Sequence, residues 1–271
     1  MAVRIWYCGE LRTIDSPTAG FRVVFGNNPG TGVTLSRRQT QTIRNKHRVM
    51  NKFIIMGPNG SGKGTQAALL CKVYKLVHIS VGDIFRWNIQ SHTKLAARIQ
   101  RIMNRGQLVS DDIVEEVVRA RLDQHDWNYG FILDGFPRSV TQATFFLESY
   151  DIDAVINIEV PDRAVIERML SRRLCSRCGL DFNLISHRPK VADTCDVCGG
   201  RLVSRPDDNP NVIQERLKEY HAKTQPIIDL FRRKELVVMA DGTQPVNAVQ
   251  KQICTELDHA FAARLKSLRP A

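Results

Sequence analysis

Phe53-Ile54-Ile55-Met56-Gly57-Pro58-Asn59-Gly60-Ser61-Gly62-Lys63-Gly64-Thr65 is the stretch that decides the fold. It begins as a short apolar run of the buried-strand type, turns through three glycines, and continues as a helical pattern to about Val73. Strand, glycine-rich loop and helix in that order make a phosphate-binding loop. The glycines let backbone N–H groups close around a phosphate, and the helix N-terminus adds a positive dipole. Lys63 supplies a point charge for the outer phosphates. The general pattern G-x-x-x-x-G-K-[ST] is not fully met, because position 64 is Gly and the hydroxyl comes one residue later, at Thr65. A glycine-rich turn with a surface lysine is the plain alternative. The strand before it and the helix after it argue against that.

Outward from the loop, strand and helix patterns alternate. Residues 77–80 are extended, Gly82 permits a tight turn, and Asp83 can cap the helix that carries Arg86. Residues 95–103 have helical periodicity, and Ser110-Asp111-Asp112 offers N-cap chemistry for a helix with its apolar stripe on Ile113, Val114, Val117, Val118 and Leu122. A buried strand over 130–134 ends in Asp134, a loop carries Gly135 to Arg138, and a helix runs over 139–149. The strand at 154–160 leads through Pro161 and Asp162 into a helix expected to carry Arg168, Arg172 and Arg173. Residues 209–234 form a helix bent near Pro226, residues 236–240 the fifth strand, and residues 246–265 a terminal helix. This alternation predicts an α/β fold, a parallel five-stranded sheet of the P-loop NTPase type with helices on both faces. Ligands bind such sheets beyond the strand carboxyl ends, where the phosphate loop, Asp83, Asp134 and Asp241 all fall.

Composition narrows the class. The 271 residues suffice for one large domain with inserts, no apolar run approaches the ~20 residues of a membrane span, and the formal net charge is +11. Residues 1–49 hold eight Lys/Arg against Glu10 and Asp15, a net of +6, which leaves a modest +5 for the rest. Polyanionic nucleotides account for that excess as well as nucleic acid would. The Arg-rich, acid-poor segment 1–49 fits a transit peptide or an upstream extension with the working start at Met50. The weak amphipathic pattern favours the extension, and disorder is expected there.

Cys175-x-x-Cys178-Gly179 and Cys195-x-x-Cys198-Gly199 form two knuckles sixteen residues apart between the inner cysteines. Four thiolates at such spacing make a closed tetrahedral zinc site, hence a structural one. A pair of disulfides and a metal-free apolar lid are the other readings of these cysteines.

From Met56 to Ala240 the chain resembles the adenylate kinase family of nucleoside monophosphate kinases. The resemblance is carried by Gly57-x-x-Gly60-x-Gly62-Lys63-Gly64-Thr65, Gly82-Asp83-x-x-Arg86, Asp134-Gly135-Phe136-Pro137-Arg138 with Gln142, Arg172-Arg173, Arg205-x-Asp207-Asp208 and Arg216. It implies ATP + AMP ⇌ 2 ADP with Mg²⁺. It implies that Arg86 and Arg138 hold the AMP phosphate, that Lys63, Arg168, Arg172, Arg205 and Arg216 surround the donor and the transferring group, and that Asp134 orients Mg²⁺ through water. It places Gly60, Ser61, Gly62, Gly64, Thr65 and Gln244 around ATP, and Val81, Gln107, Val109, Gly135 and Gln142 around AMP, with Arg205 and Arg216 reaching both. The cysteine segment resembles the long lid of bacterial-type and some organellar members, several of which carry Cys in these places; it spans 174–206, with an AMP segment at 80–109 and the enzyme domain at 50–265, followed by a tail at 266–271.

The physical reading agrees. The nucleophile is a phosphate oxygen that is already anionic, so no general base is required, and the sequence offers no His–carboxylate pair near the motifs. Gln142 matches the carboxamide that AMP-specific members set against adenine, whereas Val81 departs from their usual Thr or Ser and forgoes one hydroxyl. A GTP:AMP phosphotransferase or another nucleoside monophosphate kinase keeps the same fold. A zinc-knuckle nucleic-acid-binding ATPase is the reading from another class, and the zinc segment has a single aromatic, Phe182, for stacking. A monomer in the cytoplasm, or in a mitochondrial matrix, with nucleotides as its only partners is expected.

Overall fold

The computed structural model describes residues 51–205, 207–234 and 237–267, with 263–267 as backbone alone. It also gives the backbone of four short N-terminal strands. Val3–Tyr7 pairs with Glu10–Ile14 and Phe21–Val23 with Val33–Leu35, both antiparallel. No strand period marks these pairs in the sequence. The expectation of disorder covers the whole of 1–49, these strands included, and the remainder of 1–50 lies outside the described residues.

The central sheet is built from β1 (Lys52–Met56), β2 (Leu76–Ser80), β3 (Gly130–Asp134), β4 (Ala154–Glu159) and, last in the chain, β8 (Val237–Asp241). Their order is β8-β4-β1-β3-β2, and every pairing is parallel. The two-residue period of β1 divides the core. Phe53 and Ile55 join the cluster on one face, and Ile54 and Met56 join the cluster on the other. A central strand buried on both sides explains why 53–56 is a continuous apolar run.

Helix α1 (Lys63–Tyr74) leaves the phosphate loop, and α2 (Val81–Gln90), α3 (Lys94–Asn104) and α4 (Asp111–Asp123) follow β2. Strand β2 passes into α2 without the expected turn. Ser80, not Asp83, is the N-cap; its hydroxyl accepts from the Asp83 N–H at 3.2 Å. This frees the Asp83 carboxylate for Arg86 in the next turn of the helix. Gly82 serves that pair, since a Cβ there would stand 3.2 Å from the Arg86 guanidinium nitrogens.

Helix α5 (Val140–Ser149) is capped by Ser139, and α6 (Asp162–Leu170) opens at Pro161. The expectation that α6 carries Arg172 and Arg173 is corrected. The Ser171 hydroxyl bonds back to the carbonyls of Glu167 and Arg168, which ends the helix. Arg172 and Arg173 instead begin β5 (Arg172–Cys175), which pairs antiparallel with β6 (Asp181–Asn183) and β7 (Leu202–Val203) in the small lid.

The bent helix resolves into α7 (Pro210–Glu219), a π-helical turn (Tyr220–Thr224) and α8 (Gln225–Arg232). Pro226 lacks an N–H and crowds the carbonyl four residues back, and the wider π turn just before it accommodates that. Helix α9 (Val246–Ser267) closes the chain.

Candidate phosphoryl-transfer site

The loop between β1 and α1 is held by its glycines. Gly57 has φ +136°, and a Cβ there would meet the Ile158 carbonyl at 2.4 Å; Gly62, the N-cap of α1, has φ +97°. Only glycine adopts these angles without strain. The buried Ser61 hydroxyl has no hydrogen-bond partner among the described residues, as suits a loop whose polar groups serve an anion.

Lys63 curls back into this loop. It is 9% exposed, and its Nζ donates to the carbonyls of Gly57 and Pro58 at 2.8 Å each. Burial pushes its pKa down to about 8; Asp134 opposes this, and Arg138 and Arg172 add to it. Arg138 is treated alike. Burial first, then Arg216, lowers it to about 10, although Asp134 pulls the other way. Its Nε donates to the Gly135 carbonyl at 2.8 Å. Two buried cations near one another, with one carboxylate between their fields, form a pocket electrostatically short of negative charge. Gly57, Lys63, Gly135, Arg138, Arg216 and Tyr220 line the cleft.

Asp134 ends β3 beneath this cleft. Burial alone would raise its pKa, but His78, Lys63 and Arg138 outweigh that and hold it below the ordinary carboxylate range. His78 Nε2 lies 3.4 Å from Asp134 Oδ2. This corrects the expectation that no His–carboxylate pair stands near the motifs: parallel pairing sets Ser80 beside Asp134, which brings His78, 56 positions away in sequence, to the same strand end. Gly64 faces the same carboxylate, and a Cβ on it would stand 3.7 Å from Oδ2. A hard carboxylate beside the first turn of α1 is the donor type that Mg²⁺ takes.

The remaining arginines rest on carboxylates. Arg172 makes a bidentate pair with Asp208, at 2.8 Å through Nε and 2.5 Å through Nη2. Asp208 is almost wholly buried, and its hydrogen bonds overcome the desolvation of Arg172 and raise its pKa. Arg216 pairs with Asp207, Arg205 with Asp181 at 3.0 Å, and Arg86 with Asp83. Arg205 shares its field with Arg172 and Arg86, and Arg138 shares its field with Arg86 and Arg216. Arginines of the lid, of the core and of residues 80–109 thus lie in one another's fields.

Arg168 stands apart from this group. Its Nη2 donates to the Gly242 carbonyl at 2.8 Å and ties α6 to the turn that carries Gln244. Gln244 itself bonds Asp241 at 3.0 Å. Val81 and Val109, 2% and 7% exposed, belong to the apolar core, whereas Gln107 is exposed. Gln142 is 1% exposed and held on both sides: Oε1 accepts from the Arg138 N–H at 2.8 Å, and Nε2 donates to Asp111 at 2.7 Å. Sequence reasoning missed Asp111 in this position, because its only visible signal was helix capping.

In the lid, the sulfurs of Cys175, Cys178, Cys195 and Cys198 all lie within 4.8 Å of one another. Cys175 and Cys198 are 3.4 Å apart and Cys178 and Cys195 3.6 Å. Thiolates at about 2.3 Å from a tetrahedral zinc stand about 3.8 Å apart, so the donor set and spacing fit zinc. The backbone N–H groups of Cys178 and Arg177 point at the Cys175 sulfur, at 3.5 and 3.4 Å, and favour its thiolate. Apart from cysteines, the buried lid core is Phe182 and Leu202.

A parallel sheet with a phosphate loop at its carboxyl edge, with Lys63, Arg138 and Asp134 at the loop and further arginines held on carboxylates around them, is that of a P-loop phosphotransferase. The family model described as adenylate kinase matches residues 55–236. The adenylate kinase of Caldicellulosiruptor bescii is 44% identical over 211 residues, covering 76% of this chain and 98% of the relative. That of Clostridium tetani is 43% identical over 210 residues, covering 76% and 97%, and that of Acetivibrio thermocellus 37% over 211, covering 76% and 97%. This chain belongs to the adenylate kinase family.

Proposed function

We propose that the chain catalyses reversible phosphoryl transfer from Mg-ATP to AMP, giving two ADP. The observation that carries this is the chain of cations at the phosphate loop: Lys63 and Arg138 share the field of Asp134, Arg172 lies in the field of Lys63 and Arg216 in that of Arg138, and Arg205 lies in turn beside Arg172. Two nucleotides bring many negative charges into one cleft. The depressed pKa values of Lys63 and Arg138 mean that the arriving phosphates supply the countercharge these groups lack.

The loop N–H groups and Lys63 cradle the donor phosphates, with Ser61 and Thr65 at the entrance to α1. Arg86 and Arg138 hold the acceptor phosphate, and its anionic oxygen attacks without a base. His78 therefore serves to hold Asp134 and not to take a proton. Asp134 would hold Mg²⁺, which when bound would neutralise charge on the donor phosphates. Arg172, Arg205 and Arg216 exchange their carboxylate partners for the transferring group as the lid closes, and closure excludes water that would otherwise hydrolyse ATP. Arg168, tied to the Gly242 turn, stands on the donor side with Gln244, and Gln142 meets the acceptor base. Zinc on the four cysteines would hold the lid's shape. A monomer suffices, because every group of the site comes from one chain. The free thiols suit a reducing compartment such as the cytoplasm, and no described helix is long and apolar enough to cross a membrane.

The test is phosphoryl transfer from Mg-ATP to AMP, GMP, CMP and UMP, each scored as the nucleoside diphosphate. Strong preference for AMP supports the reading and shows that Val81 is tolerated beside Gln142. Equal use of all four would remove the acceptor assignment, and ATP hydrolysis with no diphosphate product would remove the transfer itself.

A further inference from the structure

The carboxamide of Gln142 is locked in one orientation, and the carboxylate of that lock, Asp111, is no part of the phosphate machinery. Gln142 Nε2 donates to Asp111 Oδ1 at 2.7 Å, and Oε1 accepts from the Arg138 N–H at 2.8 Å. The second Asp111 oxygen accepts from the Ser139 hydroxyl at 3.0 Å, and that hydroxyl in turn accepts from the Gln142 N–H at 3.2 Å. Asp111 begins α4, while Ser139 and Gln142 cap and begin α5, so two helix N-termini are joined through one carboxylate. A carboxylate only accepts and a backbone N–H only donates. A reversed amide would set its oxygen against Asp111 and its NH₂ against the Arg138 N–H, two repulsive contacts in a buried site. The network therefore fixes which end of the amide is the donor.

We propose that Asp111, a positioning residue, sets the hydrogen-bond polarity of Gln142 and thereby selects the acceptor base; this rests on the reading that Gln142 meets that base. An amide has two N–H groups and two lone pairs on oxygen. Asp111 takes one N–H and Arg138 one lone pair, which leaves one donor and one acceptor in fixed order. Adenine presents an acceptor at N1 beside a donor at N6, the complement of that order. Hypoxanthine and guanine present a donor at N1 beside an acceptor at O6, and uracil likewise a donor beside an acceptor. These bases require the amide reversed. Cytosine has the same polarity as adenine, so the lock does not reject it; the shape of the pocket must do so. Polarity and shape are thus separable here, which makes the role of Asp111 distinguishable from general support of the site.

The experiment measures kcat and KM for AMP, IMP, UMP and CMP with saturating Mg-ATP in the full-length wild type and in Asp111→Asn, Asp111→Glu and Gln142→Ala. Asparagine keeps the volume but offers either a donor or an acceptor to Gln142. In Asp111→Asn, the AMP:IMP and AMP:UMP ratios of kcat/KM are expected to fall about tenfold, mostly through KM, while AMP:CMP stays within twofold. Asp111→Glu, which keeps a carboxylate, is expected to return the ratios toward wild type. Ratios between acceptors cancel the fraction of folded enzyme, so partial destabilisation does not mask the effect. A parallel loss for all four acceptors would overturn the proposal and leave Asp111 as a structural link between α4 and α5. If Gln142→Ala leaves kcat/KM for AMP unchanged, the reading beneath the proposal fails with it. If Gln142→Ala weakens AMP but Asp111→Asn leaves every ratio intact, the polarity lock alone is wrong.

Discussion

Replacing Lys63 by Met should make the protein without nucleotide more stable while nearly abolishing its chemistry. The depression of Lys63 from its ordinary 10.5 to about 8 corresponds to about 3 kcal/mol against keeping the buried ammonium charged. Its hydrogen bonds to the Gly57 and Pro58 carbonyls offset part of that, at about 1 kcal/mol each. Methionine fills nearly the same volume, carries no charge, and gives up both bonds. The net gain is about 1 kcal/mol near pH 7, or about 2–4 °C in melting temperature for a domain of this size. Phosphoryl transfer should fall by about 10²–10³ or more, as when one preorganised electrostatic donor is lost. The pH dependence follows from the direction of the shift. Between about 8 and 10.5 the unfolded chain binds the Lys63 proton more tightly than the folded one, so wild-type stability rises through that window by more than the gap of about 1 kcal/mol, and the wild type becomes the more stable of the two by pH 10. Saturating Mg-ADP should reverse the order at pH 7, because it stabilises the wild type and not the variant. Thermal melts at pH 7 and pH 10, each with and without Mg-ADP, read all of this. A variant that melts below wild type at pH 7 without nucleotide, or a gap constant with pH, would refute the reasoning.

The same lysine predicts that kcat/KM for Mg-ATP declines above about pH 8 as the free enzyme loses the Lys63 proton, while the limb of kcat lies higher because bound phosphates hold that proton; a kcat/KM profile flat to pH 9.5 would contradict it. Cys195→Ser or chelation of metal should lower the melting temperature more than it weakens phosphate-loop binding of ATP, since among the described residues only Phe182 and Leu202 accompany the cysteines in the buried lid core. An unchanged melting curve together with no bound metal by elemental analysis would rule the zinc lid out. A chain beginning at Met50 should keep full activity, because every group placed in the site lies between Gly57 and Gln244; loss of activity on truncation would assign residues 1–49 a part in the domain.

Local patterns carried most of the fold. The run Phe53 to Met56 and the glycines after it announced a buried strand and a phosphate loop, and both stand where they were expected. The two cysteine knuckles announced a cluster, and the sulfurs meet. What local pattern could not carry was pairing between distant segments. His78 reaches Asp134 only because β2 and β3 lie side by side in register. Asp111 reaches Gln142 only because two helix N-termini converge. Arg172 and Arg173 looked helical by continuity with Arg168, yet their place was decided by Ser171 ending α6 and by partners in the lid sheet. Asp83 was a plausible cap by residue type, but Ser80 occupied that position and left the carboxylate to Arg86. The aspartates beneath Arg172 and Arg216 were visible as Asp207-Asp208, but which arginine each one holds was not.

The most direct test of the central claim uses one substrate alone. Mg²⁺ and ADP are mixed with the protein and the products are followed by phosphorus NMR. A transferase that binds two nucleotides around Lys63, Arg138 and the lid arginines must yield ATP and AMP in equal amounts, with no inorganic phosphate. Unchanged ADP, or AMP accompanied by phosphate, would contradict it.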